Sequence, residues 1–163
     1  MRYLTVFILM GSLLGLSSAL AQPDKKLYDP ELDGMVQFQE AKVQAKAEGK
    51  HVFLHIGGNW CPWCFRFEKF VSNDSELDSL LQADFVIKHI SYGGKNKNLP
   101  LMGELGMPQR FGFPVIVITD AEGNRLHTQD TGYPEAGGSY DREKMLRFFK
   151  NWRPEALNPK YNR

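Results

Sequence analysis

The chain has 163 residues, of which 42% are hydrophobic and 24% are charged, and its formal net charge is +1. This length and composition fit one globular domain with a substantial core. There is no run of like charges, which argues against nucleic acid or an anionic membrane surface as a partner.

The first 21 residues have the pattern of a cleaved signal peptide. Arg2 gives a positive start, residues 3–16 are largely apolar, and residues 17–21 offer a cleavage site with small residues. Gln22 is then the first mature residue. The apolar stretch is shorter than the about 20 residues that a membrane span needs, although an uncleaved anchor helix is the alternative. We therefore expect a periplasmic or secreted protein.

Residues 22–30 are polar, contain two prolines and predict an extended lead-in, and the residues up to 56 then predict a helix and a buried strand. The helix is expected over residues 33–50 and is closed by Gly49. The strand, over residues 50–56, is nearly continuous in apolar residues, as in central strands buried on both faces. The predicted apolar face of the helix contains Met35, Phe38, Ala41, Val43, Ala45 and Ala47.

The following segment predicts two successive helices. The first begins at Cys61, and the second has Asn73 as its N-cap with Glu76 as the capping-box partner. Leu77, Leu80 and Leu81 give the second helix a short apolar stripe.

The remaining elements alternate between strands, loops and helices. They are a strand over 84–91, an exposed loop over 92–100, a short helix over 102–105, a strand over 115–119, a turn over 120–124, a strand over 125–128, a loop over 129–139, a helix over 141–152 capped by Asp141, and a loose tail over 154–163. This order predicts an α/β fold with a central mixed sheet and helices on both faces.

The only two cysteines, Cys61 and Cys64, stand where the first strand gives way to a helix. The unpaired N–H groups at a helix N-terminus lower the pKa of a thiol there, so we expect Cys61 to attack and Cys64 to resolve the mixed disulfide. Pro62 suits the first helical turn. Trp60 and Trp63 are expected to shield the cysteine pair from solvent and to offer an apolar surface on which a substrate can bind.

Three other interpretations of the pair are weaker. A structural bridge across two residues constrains little chain entropy. A structural zinc site needs about four ligands, and the four histidines do not have finger spacing. Haem attachment needs a histidine after Cys64, where Phe65 stands. We therefore expect neither a metal nor another cofactor.

The segment Trp60-Cys61-Pro62-Trp63-Cys64 resembles the active-site motif of the thioredoxin fold superfamily, and Phe113-Pro114-Val115 resembles its second signature. The resemblance extends over about residues 32–152. It implies a thioredoxin fold for the domain 22–163, with a cis peptide bond before Pro114 and with Pro114 facing the cysteines.

More narrowly, residues 57–61 and 67–70 are similar to the branch that includes the periplasmic C-terminal domain of the transmembrane thiol:disulfide interchange protein. One departure is His55, which stands where thioredoxins have a buried aspartate that helps to deprotonate the resolving thiol. His55 is either a proton acceptor or a packed histidine. Glu68 matches an acid of that branch and is either a general base or a solvated helix residue.

These observations favour a periplasmic thiol–disulfide oxidoreductase. Its partners would be protein disulfides or dithiols, with a membrane thiol–disulfide protein as a candidate electron donor. Pro114 and Trp60 would shape the groove for an extended substrate peptide. The alternative is a binding or redox-sensing module whose disulfide is structural. A peroxide-reducing enzyme is weaker still, because Asn59-Trp60 precedes Cys61 where such enzymes have Thr or Ser. The direction of electron flow stays open.

Overall fold

The computed structural model describes residues 26–160. The expected signal peptide, 1–21, and its cleavage site lie outside the described residues. Within the described part of the chain, no helix has both the length and the apolar character needed to cross a membrane.

A four-stranded mixed sheet forms the centre of the fold. Its strands are β1 (His51–Gly57), β2 (Phe85–Ser91), β3 (Val115–Thr119) and β4 (Arg125–Asp130), in the order β2-β1-β3-β4. β1 is parallel to β2 and antiparallel to β3, and β3 is antiparallel to β4. All seven residues of β1 are buried, which confirms the prediction of a central strand covered on both faces.

Five helices cover the two faces of the sheet. They are α1 (Gly34–Glu48), α2 (Pro62–Ser72), α3 (Ser75–Asp84), α4 (Leu99–Glu104) and α5 (Arg142–Trp152). α1 and α4 pack on the face that carries Val52, Leu54 and Ile56. α2, α3 and α5 pack on the opposite face, around Phe53. This alternation along β1 follows the two-residue period of a strand, and the predicted α/β architecture is confirmed.

The ends of α1 follow the prediction, but part of its predicted face does not. The Asp33 carboxylate accepts from the first helical amides, and Gly49 ends the helix with φ 68°. Val43 is 73% exposed, and Ala47 is also exposed. Val43 lies two residues from each of the buried alanines and therefore points away from the sheet. The face that does pack consists of Gln37, Phe38, Ala41 and Ala45.

The predicted capping box at the start of α3 is wrong. The N-cap is Asp74, whose carboxylate accepts from the Glu76 and Leu77 amides at 3.1 Å. Asn73 instead ends α2, because its backbone is helical and its amide donates to the Lys69 carbonyl. The two helices follow each other so closely that Asn73 belongs to the first of them.

Several later boundaries also differ from those predicted. α4 begins at Leu99 rather than at residue 102, and β4 continues to Asp130, where it pairs with Val115. The expected loop over 129–139 contains β5 (Glu135–Ala136) and the start of β6 (Ser139–Tyr140), which pair as a short hairpin. The expected loose tail begins with a 3-10 turn at Pro154–Leu157.

The loop after β2 is fastened by two asparagines, Asn96 and Asn98. Asn98 is 8% exposed, and its Oδ1 accepts from the Gly34 amide while its Nδ2 donates to the Ser91 carbonyl, both at 2.8 Å. Asn96 donates to the carbonyls of Pro30 and Leu32. The loop thereby ties the end of β2 to the start of α1.

Asn98→Ala should lower the free energy of unfolding by about 2–6 kcal/mol, since the Gly34 amide and the Ser91 carbonyl each lose a buried partner at a cost of about 1–3 kcal/mol. Denaturant titration measures this change. The exposed Lys97→Ala is the control and should stay within about 0.5 kcal/mol of wild type. Equal stabilities of the two variants would contradict the role assigned to Asn98.

Candidate active site

Cys61 and Cys64 form a disulfide at the carboxyl end of the central strand, with their Cα atoms 5.4 Å apart. Cys61 is the N-cap of α2, and the Cys64 amide donates to its Sγ at 3.2 Å. Both residues are buried, Cys61 being 3% and Cys64 0% exposed. The chain thus places Cys61 where helix N–H groups can stabilise a negative sulfur.

The Phe113–Pro114 peptide bond is cis, as the family resemblance implied. Pro114 is buried and directly precedes β3, whose Val115 pairs with Ile56 near the end of β1. Antiparallel pairing therefore brings Pro114 to the end of the sheet that carries the disulfide, and Phe113 packs against the cysteine cluster. The Thr131 hydroxyl donates to the Pro114 carbonyl from the neighbouring strand end.

An aromatic wall formed by Trp60, Tyr92 and Phe113 stands beside the disulfide. Trp60 is 56% exposed, and its Nε1 donates to the Tyr92 carbonyl at 3.0 Å. Its ring meets Phe113 edge-on at 5.3 Å, and Phe113 stacks on Tyr92 at 4.9 Å. Two of the three rings are thus held by their neighbours while much of Trp60 faces solvent.

The first turn of α2 shows how the residues between the cysteines are used. Pro62 occupies the first helical position and is exposed. Trp63 is half-buried, meets Tyr140 edge-on at 5.5 Å, and has the Arg66 guanidinium over its ring at 4.6 Å. The two tryptophans therefore differ, since Trp60 offers an accessible apolar surface and Trp63 is mainly a packing residue.

Tyr28 is a site residue that sequence reasoning missed, because it lies in a polar segment predicted only as an extended lead-in. It is 1% exposed and lies in one buried cluster with both cysteines. The Asn59 side chain holds this segment: its Oδ1 accepts from the Leu27 and Tyr28 amides at 3.0 Å, and its Nδ2 donates to the Tyr28 carbonyl at 2.8 Å. A Cβ at Gly57 would collide with both Cys64 Sγ and the Tyr28 hydroxyl.

His55 and Glu68 lie behind Tyr28, and the structure adds His89 to them. His55 is 1% exposed, and its Nδ1 lies 3.3 Å from the Tyr28 hydroxyl. Burial, with a contribution from His89, holds the pKa of His55 well below its usual value, so the ring is neutral at pH 7. Burial also raises the pKa of Tyr28, which keeps its hydroxyl protonated. Glu68 Oε2 lies 3.2 Å from His89 Nε2.

The Thioredoxin-like family model matches residues 34–121. The chain belongs to this family. Tyr28 lies outside the matched range, whereas the cysteine pair and Pro114 lie within it.

Relatives of this thioredoxin-like chain include the Thiol:disulfide interchange proteins DsbD of Yersinia enterocolitica and Vibrio cholerae. The first is 31% identical over 121 residues, which are 70% of this chain and 19% of the relative. The second is 25% identical over 114 residues, 69% of this chain and 18% of the relative. The chain thus spans about a fifth of the length of these curated relatives.

Solved structures show the same fold. The disulphide isomerase from Xylella fastidiosa Temecula1 superposes with a TM-score of 0.66 and 25% identity, covering 77% of this chain and 95% of that one. The oxidised DsbD C-terminal domain of Neisseria meningitidis has a TM-score of 0.53 and 18% identity, covering 74% and 97%. The second likeness concerns the fold alone.

Asn59→Ala should release the segment that carries Tyr28. Three hydrogen bonds of about 1 kcal/mol each are lost, so the Leu27 and Tyr28 amides should exchange with solvent about tenfold faster or more. Hydrogen exchange followed by NMR measures this rate. Asn73→Ala is the matched control, because Asn73 is exposed and its side chain makes no hydrogen bond among residues 26–160. Unchanged exchange in Asn59→Ala would refute the anchoring role.

Proposed function

We propose that the protein is an exported thiol–disulfide oxidoreductase of the periplasm, with Cys61 and Cys64 as its catalytic pair. The observation that carries this proposal is the Cys61–Cys64 disulfide at the N-terminus of α2, next to the cis Phe113–Pro114 bond. Membership of the thioredoxin-like family and the names of the relatives support thiol–disulfide exchange as the activity.

The exchange proceeds in two attacks on sulfur. A substrate thiolate attacks Cys61 Sγ, forming a mixed disulfide and releasing Cys64 as a thiolate, which takes up one proton. The second thiolate of the same substrate then attacks the substrate sulfur of the mixed disulfide. This step forms the substrate disulfide and releases Cys61 as a thiolate. Two electrons have passed from the substrate dithiol to the cysteine pair, and the reverse sequence reduces a substrate disulfide.

The surroundings of the pair suit these steps. When Cys61 leaves as a thiolate, the Cys64 amide is already directed at its sulfur. The Tyr28 hydroxyl and Cys64 Sγ both lie against Gly57, so the hydroxyl can donate to a Cys64 thiolate. In the tautomer with its proton on Nδ1, His55 donates to the Tyr28 oxygen, which leaves the hydroxyl proton for Cys64.

Substrates are expected to be proteins that present an unfolded cysteine segment. Trp60 offers an exposed apolar face beside the disulfide, and Pro114 lies at the adjoining strand end. An extended peptide can lie across Trp60 and in front of Pro114. A membrane protein with its own thiol–disulfide pair is the proposed electron partner.

Cys61→Ser should abolish both insulin reduction and dithiol oxidation, since no sulfur remains for the first attack. Cys64→Ser should accumulate a mixed disulfide through Cys61, visible by mass spectrometry and lost on reduction.

We expect a reduction potential for the wild-type pair of about −120 to −270 mV, the range of redox catalysts. A potential below about −300 mV, or full activity of Cys61→Ser, would instead support a binding module with a structural disulfide.

Export makes a separate prediction. The full chain expressed in a Gram-negative bacterium should appear in the periplasmic fraction with Gln22 as its N-terminus, as determined by intact mass. Ala21→Arg removes the small residue before the cleavage point and should leave the precursor uncut. Retention of uncleaved wild-type chain in the cytoplasm would overturn the assignment of residues 1–21.

A further inference from the structure

A cavity of about 270 Å³ lies between the edge strand β2 and the helices α2 and α3. About half of its lining is apolar, and three groups that commonly bind metals face one another in it. They are the side chains of His55, Glu68 and His89, and one potential ligand atom from each lies within 4.8 Å of those of the other two. The cavity is on the protein's α2 side, behind Tyr28 and separate from the disulfide sulfurs.

The fold explains why these residues meet. His55 and His89 are register partners in the parallel pair β1·β2, so their side chains emerge side by side on one face of the sheet. Their rings lie 5.1 Å apart. Glu68 comes from α2, which packs on that face, and its Oε2 lies 3.2 Å from His89 Nε2.

His55 supplies the second, independent observation. Its Nδ1 is occupied by the Tyr28 hydroxyl, whereas its Nε2 is buried and has no hydrogen-bond partner among residues 26–160. Buried polar atoms without a partner are rare in folded proteins, and each one calls for an explanation such as an ion or a bound water.

We propose that His55, Glu68 and His89 bind a transition-metal dication, with Zn²⁺ as the best match. Two imidazole nitrogens and one carboxylate oxygen form a ligand set known for zinc, with the fourth position left to water. Imidazole nitrogen donors favour Zn²⁺ and other first-row transition-metal dications over Mg²⁺ and Ca²⁺, which prefer oxygen ligands. Tyr28 serves as the partner that orients His55 from its other nitrogen.

This site goes beyond the redox function, because neither cysteine is a ligand. Glu68 and His89 keep 37% and 25% of their side-chain surface exposed, which gives the ion a path from solvent. The carboxylate of Asp78 lines the same cavity and adds negative charge around a bound cation.

The test is a titration of the tag-free, oxidised mature chain with Zn²⁺ by calorimetry at pH 7.5. Keeping the disulfide closed removes the thiols as competing ligands, and the C61S/C64S double variant should bind with the same affinity. We expect one Zn²⁺ per chain and no heat with Mg²⁺. His89→Ala should weaken binding about 100-fold or more, because even substitutions of residues behind a ligand cost about 10–100-fold.

Two further variants make the result specific. Glu68→Gln keeps the shape of the side chain but removes its charge, and it should also weaken binding. His127→Ala is the matched control: His127 is a half-buried histidine on β4, stacked on Trp152 at 4.3 Å, and its loss should leave the affinity unchanged. Thermal unfolding without metal verifies that each variant is folded.

The proposal is overturned if the oxidised chain binds no Zn²⁺ stoichiometrically. Binding that survives in His89→Ala, or that disappears in C61S/C64S, would also overturn it. In that case the three side chains form a packed polar cluster. NMR of the histidine ring nitrogens adds a direct readout, since Zn²⁺ should shift the signal of His55 Nε2 and leave those of His127 in place.

Discussion

β1 is held between a parallel neighbour, β2, and an antiparallel neighbour, β3, and this pairing determines what surrounds the disulfide. The end of β1 leads within four residues to Cys61, the end of β2 leads to Tyr92, and β3 starts after Pro114. Parallel and antiparallel pairing thus bring three distant segments together at the end of the sheet where β1 and β2 have their carboxyl ends. The aromatic wall, the cis bond and the redox pair adjoin each other for this reason.

Much of this arrangement was accessible from the sequence because it depends on strong, local patterns. Long apolar runs identify β1 and β3, and the Cys61–Cys64 spacing before a helix predicts a redox pair there. The position of Pro114 came from family resemblance. The α3 cap was missed by one residue, since Asn73 and Asp74 are both good caps and only the end of α2 decides between them.

The roles that the sequence did not predict share a physical cause: they depend on partners far away in the chain. Tyr28 and Asn59 are 31 residues apart, and Asn98 binds Gly34 across 64 residues. No periodicity marks such polar contacts, because a single side chain satisfying a distant backbone group leaves no repeated pattern. His89 belongs to the same class. Its strand was predicted, but its contact with His55 depends on the register of β1 against β2, which tertiary packing sets.

The replacement of a buried acid by His55 changes the electrostatics of the redox pair. An ionised carboxylate at that place would repel a thiolate on Cys64 in a medium of low dielectric constant. Here Tyr28, which lies in the same cluster as the cysteines, is protonated, and His55 behind it is neutral. The negative charge of Glu68 lies further out, beside His89. A thiolate formed on Cys64 would therefore meet the Tyr28 hydroxyl rather than a like charge, and this contact would stabilise the reduced form of the pair.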